Sequence, residues 1–157
     1  MVRCVRRDHA DLVRMLDALV APETSVETAT TLVESLGVAL RAHADAQIAV
    51  VDGMLKRIAS PPALLGIVVA QVRGDHRRHL VAFDGLAGLA PRSSAWMTCM
   101  LELRSMVWSH ERREIAMLHA LSAHFDDATR RDLARGYTTE RLHRVVPSKF
   151  SLVETFG

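Results

Sequence analysis

The sequence holds only two cysteines among 157 residues, Cys4 and Cys99. They share no CxxC spacing, which argues against both a disulfide framework and a thiolate metal site. Aromatic residues make up 4% of the chain, and strand-forming β-branched residues are sparse, too few for the faces of a sheet protein. Charge is nearly balanced at a formal +2, and the arginines are scattered among acidic neighbours with no aromatic residues between them. That pattern lacks the basic stripe of a nucleic-acid surface. No apolar run is long enough to cross a bilayer, since the stretch from Leu64 to Ala70 soon meets Arg73 and Asp75. The opening MVRCVRRDHADLVRML carries charge in its first turns and has no apolar core or cleavage motif, so no signal peptide is expected. A soluble, cytoplasmic protein with no nucleic-acid and no membrane partner is therefore expected.

What remains is helical. Punctuation falls at Ala21-Pro22, at Ser60-Pro61-Pro62 and between Gly85 and Pro91, dividing the chain into four long segments. Thr24 and Glu27 have the spacing of a capping box, Ser60 precedes Pro61 as an N-cap precedes a first-turn proline, and Ser93-Ser94 can cap the fourth segment. Apolar residues recur at steps of three, four and seven: Val5, Leu12, Leu16 and Leu19; Leu36, Leu40, Val50 and Met54; Val69, Val72, Leu80 and Phe83; Leu103, Met106, Met117 and Leu121. The spacing predicts an all-α, antiparallel up-down-up-down four-helix bundle. One domain is expected over 1–157, with the bundle over about 2–124 and a C-terminal extension over 125–157. That extension is predicted as a short helix broken near Gly136 and a tail from Val145 that docks on the bundle. Trp96 and Trp108 are expected to pack internally or to meet a second copy in a homodimer.

Four of the eight histidines interrupt those apolar stripes: His9, His43, His76 and His110. One inward histidine per helix, at depths within a couple of turns of each other by counting from the breaks, places four rings around one cavity. Burying four unpartnered imidazoles costs on the order of 1–3 kcal/mol each, which a metal ion offsets by using their lone pairs. Glu114 follows His110 by four residues and shares its face, where an unpaired carboxylate needs a cation. His79, at the edge of its stripe, and His119, His124 and His143 are expected to lie at the surface. Cys99 is read as a small buried side chain, and the methionines of the fourth segment as core filling. No Ser or Cys sits in a nucleophilic arrangement.

These residues resemble the hemerythrin and HHE cation-binding family. The likeness lies in Asp8-His9 in the first helix, HxxxQ at His43–Gln47 in the second, Asp75-His76 in the third and HxxxE at His110–Glu114 in the fourth, covering roughly residues 5 to 135. The resemblance implies two non-haem irons held by His9, His43, His76, His110 and Glu114, with Gln47 at the position of a bridging glutamate, and binding or sensing of dioxygen or reaction with peroxide. Gln47 departs from that pattern, because a neutral amide offers one carbonyl oxygen and no negative charge, so one iron or none is also consistent with it. Asp45 and Asp52 point away from the His43 face, so no replacement is evident unless Tyr137 folds back or a solvent-derived bridge compensates. The alternative is a metal-free helical scaffold or interaction module whose histidines form a hydrogen-bonded, protonatable cluster.

Overall fold

The computed structural model describes residues 1–145, which form helices joined by short connections, with no strand among them. Helix α1 spans Val2–Val20, α2 Val26–Arg57, α3 Ala63–Asp84, α4 Ser94–Ser122 and α5 Asp127–Val145, with a 3-10 turn at Gly85–Gly88. The connections fall at the predicted punctuation. The tail beyond Val145, with its expected docking, lies outside the described residues. No helix among them is long and apolar enough to cross a membrane.

Helix ends follow local chemistry, with two departures from the sequence reading. Ser25, not Thr24, caps α2 by accepting from the Thr28 amide, while the Thr24 hydroxyl turns back to the Ala18 carbonyl and closes the end of α1. At the start of α3, Ser60 caps nothing. Pro62, at φ −55° and ψ 138°, is the residue before the helix, and Pro61, which precedes a proline, is steered away from helical backbone angles. Ser93 caps α4 as expected, through the Trp96 amide. Arg92, just before it, has a positive φ of 69°. Its guanidinium donates to the carbonyls of Leu19, Ala21 and Pro22 and so ties this strained turn to the end of α1.

Helices α1 to α4 close a ring: α1 packs on α2, α2 on α3, α3 on α4, and α4 back on α1, while α5 lies against α2. The predicted stripes form the core, although Leu80, Phe83 and Met106 are half-buried. Two apolar clusters result. One gathers Val5, Val50, Met54, Val69, Val72, Leu118 and Leu121, and the other Leu12, Leu16, Leu36, Leu40, Met100 and Leu103. In α1, α2 and α4 the clusters lie on opposite sides of His9, His43 and His110, so the histidines form a polar layer between two dry ones.

Helix α5 runs unbroken through Gly136, contrary to the predicted interruption. Leu133 and Tyr137 flank that glycine one turn apart and both are buried in the first cluster. Their burial, worth on the order of 2 kcal/mol per side chain, outweighs the roughly 1 kcal/mol that a mid-helix glycine costs. Trp96 is an internal packing residue, whereas Trp108 is exposed.

Candidate metal centre

Each helix of the ring delivers its histidine because the ring sits in an apolar stripe. His9, His43, His76 and His110 are all buried, with Glu114 fully so. Glu114 Oε2 stands 2.6 Å from His9 Nε2 and 3.3 Å from the Nε2 atoms of both His43 and His110. Three imidazole nitrogens from α1, α2 and α4 thus surround one carboxylate oxygen, and one ligand atom from each of the four residues lies within 4.8 Å of every other. His76 approaches from α3 with its Nε2 2.9 Å from His110 Nε2, and stands beside this four-residue group.

Gln47 is buried one turn after His43, as its position in the stripe requires. Its Nε2 donates weakly to Met117 Sδ at 4.0 Å, and its Oε1 has no partner. Asp45 and Asp52 do point outward, to Arg144 and Arg73. Tyr137 folds back into the interior but does not stand in for the missing carboxylate. Its hydroxyl lies 2.9 Å from His43 Nδ1, the opposite ring nitrogen from the one facing Glu114, and donates to Asp8 Oδ2 at 2.5 Å.

A second layer of acids and bases supports the rings. Arg141 Nε is 2.7 Å from Asp8 Oδ2. His110 Nδ1 meets Asp75 Oδ2 at 3.1 Å, and that carboxylate is held by Arg113 and Arg78. With Nδ1–H committed to these acceptors, Nε2 of both His43 and His110 points inward.

His79 is the clearest departure from expectation. It is 4% exposed, its ring centroid 5.0 Å from that of His110 and 6.2 Å from that of His76. The edge of the α3 stripe faces the seam with α4, so a residue there is covered by the neighbouring helix. The three-residue spacing of His76 and His79 was the available signal. His119, His124 and His143 are exposed as expected. Both cysteines are free and half-buried.

Electrostatics separate the rings. Burial would raise the Glu114 carboxyl, but His43, His110 and His9 around it hold it well below the usual range. Burial likewise disfavours a charged His43, yet the Glu114 and Asp8 carboxylates win and push it up to about 9. His76 falls well below its ordinary value through burial and then the charge on His43, His79 falls to about 3 through burial and then His110, and burial lowers His9 as well. Neutral rings keep a lone pair free for a cation.

Five buried polar atoms in this layer have no hydrogen-bond partner: His9 Nδ1, His43 Nε2, Gln47 Oε1, His76 Nδ1 and Glu114 Oε1. His43 Nε2 is within ion-pair reach of Glu114 but out of line for a hydrogen bond. So many orphans in one layer cost on the order of 1–3 kcal/mol each. Ligand atoms around one cation at about 2.1 Å stand roughly 3–4 Å apart, so to hold one the widest pairs of the group, up to 4.8 Å, need to close by roughly 1–2 Å and the His9–Glu114 pair, at 2.6 Å, needs to open slightly. Three nitrogens and a carboxylate suit a divalent transition metal.

No family model, no curated protein and no solved structure matches the chain. Fold and site together define an all-helical bundle whose buried His9, His43, His110 and Glu114 could hold a metal ion.

Proposed function

We propose that this chain is a hemerythrin-like protein that binds non-haem iron through His9, His43, His110 and Glu114, with His76 and Gln47 beside them, and that binds or senses dioxygen or reacts with peroxide. The observation that carries this reading is the convergence of three buried Nε2 atoms on one Glu114 oxygen, amid polar atoms left without partners. The reading includes an up-down-up-down topology. In support, the first apolar cluster takes Val5 near the start of α1, Val50 and Met54 near the end of α2, Leu65 at the start of α3 and Leu121 at the end of α4. The ends alternate. Two free cysteines suit the reducing cytoplasm in which the protein is proposed to work.

Iron held there would supply a ferrous/ferric couple and an open position for a small ligand. The chain's own part is to orient and to exclude. Asp75 holds Nδ1–H of His110 so that Nε2 faces Glu114, and Val5, Val72, Val107 and Met117 in the adjoining apolar layers keep bulk water out. With Gln47 replacing the second carboxylate, Glu114 is the only acid in the four-residue group, and a single anionic ligand balances one ferrous ion better than two. We therefore favour one iron per chain.

The test is metal analysis of protein purified without chelator and after anaerobic ferrous reconstitution, with an optical spectrum. About one iron per chain and a ligand-to-iron charge-transfer band support the reading. No iron after reconstitution overturns it in favour of a metal-free helical module, the reading that Gln47 itself favours, since an amide can hydrogen-bond imidazoles where no metal requires a charge.

A further inference from the structure

Helix α5 lies outside the ring formed by α1 to α4, yet it reaches the support of one ring ligand. Tyr137 is 1% exposed, and its hydroxyl donates its single proton to Asp8 Oδ2 at 2.5 Å. Toward His43 Nδ1, 2.9 Å away, the same oxygen can only accept, so the imidazole carries its proton on Nδ1. Asp8 Oδ2 stands 3.6 Å from that nitrogen, beyond good hydrogen-bond reach. The tyrosine hydroxyl therefore makes the connection. One turn on, Arg141 of the same helix forms an ion pair with the Asp8 carboxylate at 2.7 Å, out of line for a hydrogen bond. His110 differs: Asp75 of α3 supports it directly and is itself held by Arg113 of α4, with no help from α5.

We infer that Tyr137 is a positioning residue that fixes the orientation and tautomer of His43, and through it the docking of α5 and the binding of metal at the centre are thermodynamically coupled. The inference rests on the metal reading proposed above. By reciprocity, whatever factor docked α5 adds to metal affinity, bound metal returns as resistance of α5 to local opening. The helix that the bundle does not need to close its ring is thus the part of the fold whose stability reports the state of the centre.

The test uses cobalt(II), whose visible spectrum reports its ligands, with the full chain and Tyr137→Phe. Removing a hydrogen bond of this kind is expected to weaken cobalt affinity about tenfold. Hydrogen exchange of the amides from Leu133 to Arg141 supplies the second readout. Cobalt is expected to slow their exchange in the unaltered chain, and to slow it about tenfold less in Tyr137→Phe. A tyrosine that merely packs would lower α5 protection equally with and without metal and leave the metal-dependent increment intact. Asp8→Asn, which weakens the acceptor of the hydroxyl proton while keeping shape, is expected to reproduce both losses and decides the matter should Tyr137→Phe not fold. Equal cobalt affinities and equal increments overturn this inference while leaving the metal reading in place. Failure of the unaltered chain to bind cobalt overturns both.

Discussion

Replacing Gln47 by Glu exchanges an amide for a carboxylate of the same size at a position 2% exposed. The amide it removes makes only one weak contact, to Met117 Sδ, and leaves Oε1 unpaired, so little hydrogen bonding is lost. What changes is charge. In metal-free protein a second acid enters the interior layer that already holds Glu114. The cost has a ceiling, because the new carboxyl can always take up a proton. With an ordinary pKa of about 4.3 and about 1.36 kcal/mol per unit, neutralising it at pH 7 costs about 3.7 kcal/mol. For a chain of 157 residues, a loss near that ceiling lowers Tm by roughly 7–15 °C. With ferrous iron the sign reverses, since the carboxylate gains a cation and the second anionic ligand that two irons require. Calorimetry with and without anaerobic iron should show a metal-free variant less stable than the parent, a larger iron-induced rise in Tm, and iron per chain moving toward two. Unchanged metal-free stability together with unchanged iron content would mean that Gln47 does not share the cavity of the cluster.

Glu114→Gln keeps the shape of the central ligand and removes its charge; a saturating metal at about 100 times Kd stabilises the parent by about 2.7 kcal/mol, and a calorimetric scan should show that gain abolished. A gain retained in full would place the metal elsewhere. Gly53 and Gly66 have open space where a Cβ would stand, so alanine at either should raise stability by about 0.5–1 kcal/mol in denaturant titration. At Gly37 the same atom would come within 2.6 Å of the Phe83 ring, so Gly37→Ala should instead be destabilising, and a gain there would refute the tight approach of α2 and α3. Asp126 accepts from the Thr129 amide at 2.7 Å, and that bond holds its carboxyl below the usual range. Its contribution is therefore present above the unfolded carboxyl pKa and lost as pH falls through the folded one. Protection factors at the first turn of α5, taken relative to the intrinsic exchange rate at each pH, should fall in acid in the parent and not in Asp126→Ser; identical pH profiles would rule out the cap.

The boundaries of the ring helices were legible because proline and glycine clusters coincide with the ends of apolar stripes, and few other signals compete there. Where sequence misled, two forces opposed each other within a few residues. Thr24 and Ser25 are both competent caps, and which one serves depends on where the last turn of α1 leaves its carbonyls, since Ala18 claims the threonine hydroxyl. Gly136 reads as a break on propensity alone, and only the burial of Leu133 and Tyr137 against the bundle keeps α5 whole. That burial depends on a helix that begins a hundred residues earlier in the chain.

The same limit explains which part of the site could be read. A side chain on the stripe itself faces the interior whatever surrounds the helix, so His9, His43, His76, His110 and Glu114 were visible from helical period alone. A side chain about 100° off the stripe faces a seam between helices, and one helix viewed alone assigns it to the surface. Asp8 and Asp75 each immediately precede an inward histidine and so fall on such seams. Each serves a histidine on another helix: Asp8 of α1 supports His43 of α2 through Tyr137, and Asp75 of α3 supports His110 of α4. His79 lies on the α3–α4 seam as well, beside His110. An acid or histidine adjacent to an inward ligand is therefore better read against the neighbouring helix than against its own. On that rule the pairs Asp8-His9 and Asp75-His76 supply interior chemistry at both residues, a histidine for the polar layer and an acid that supports a ring across the seam.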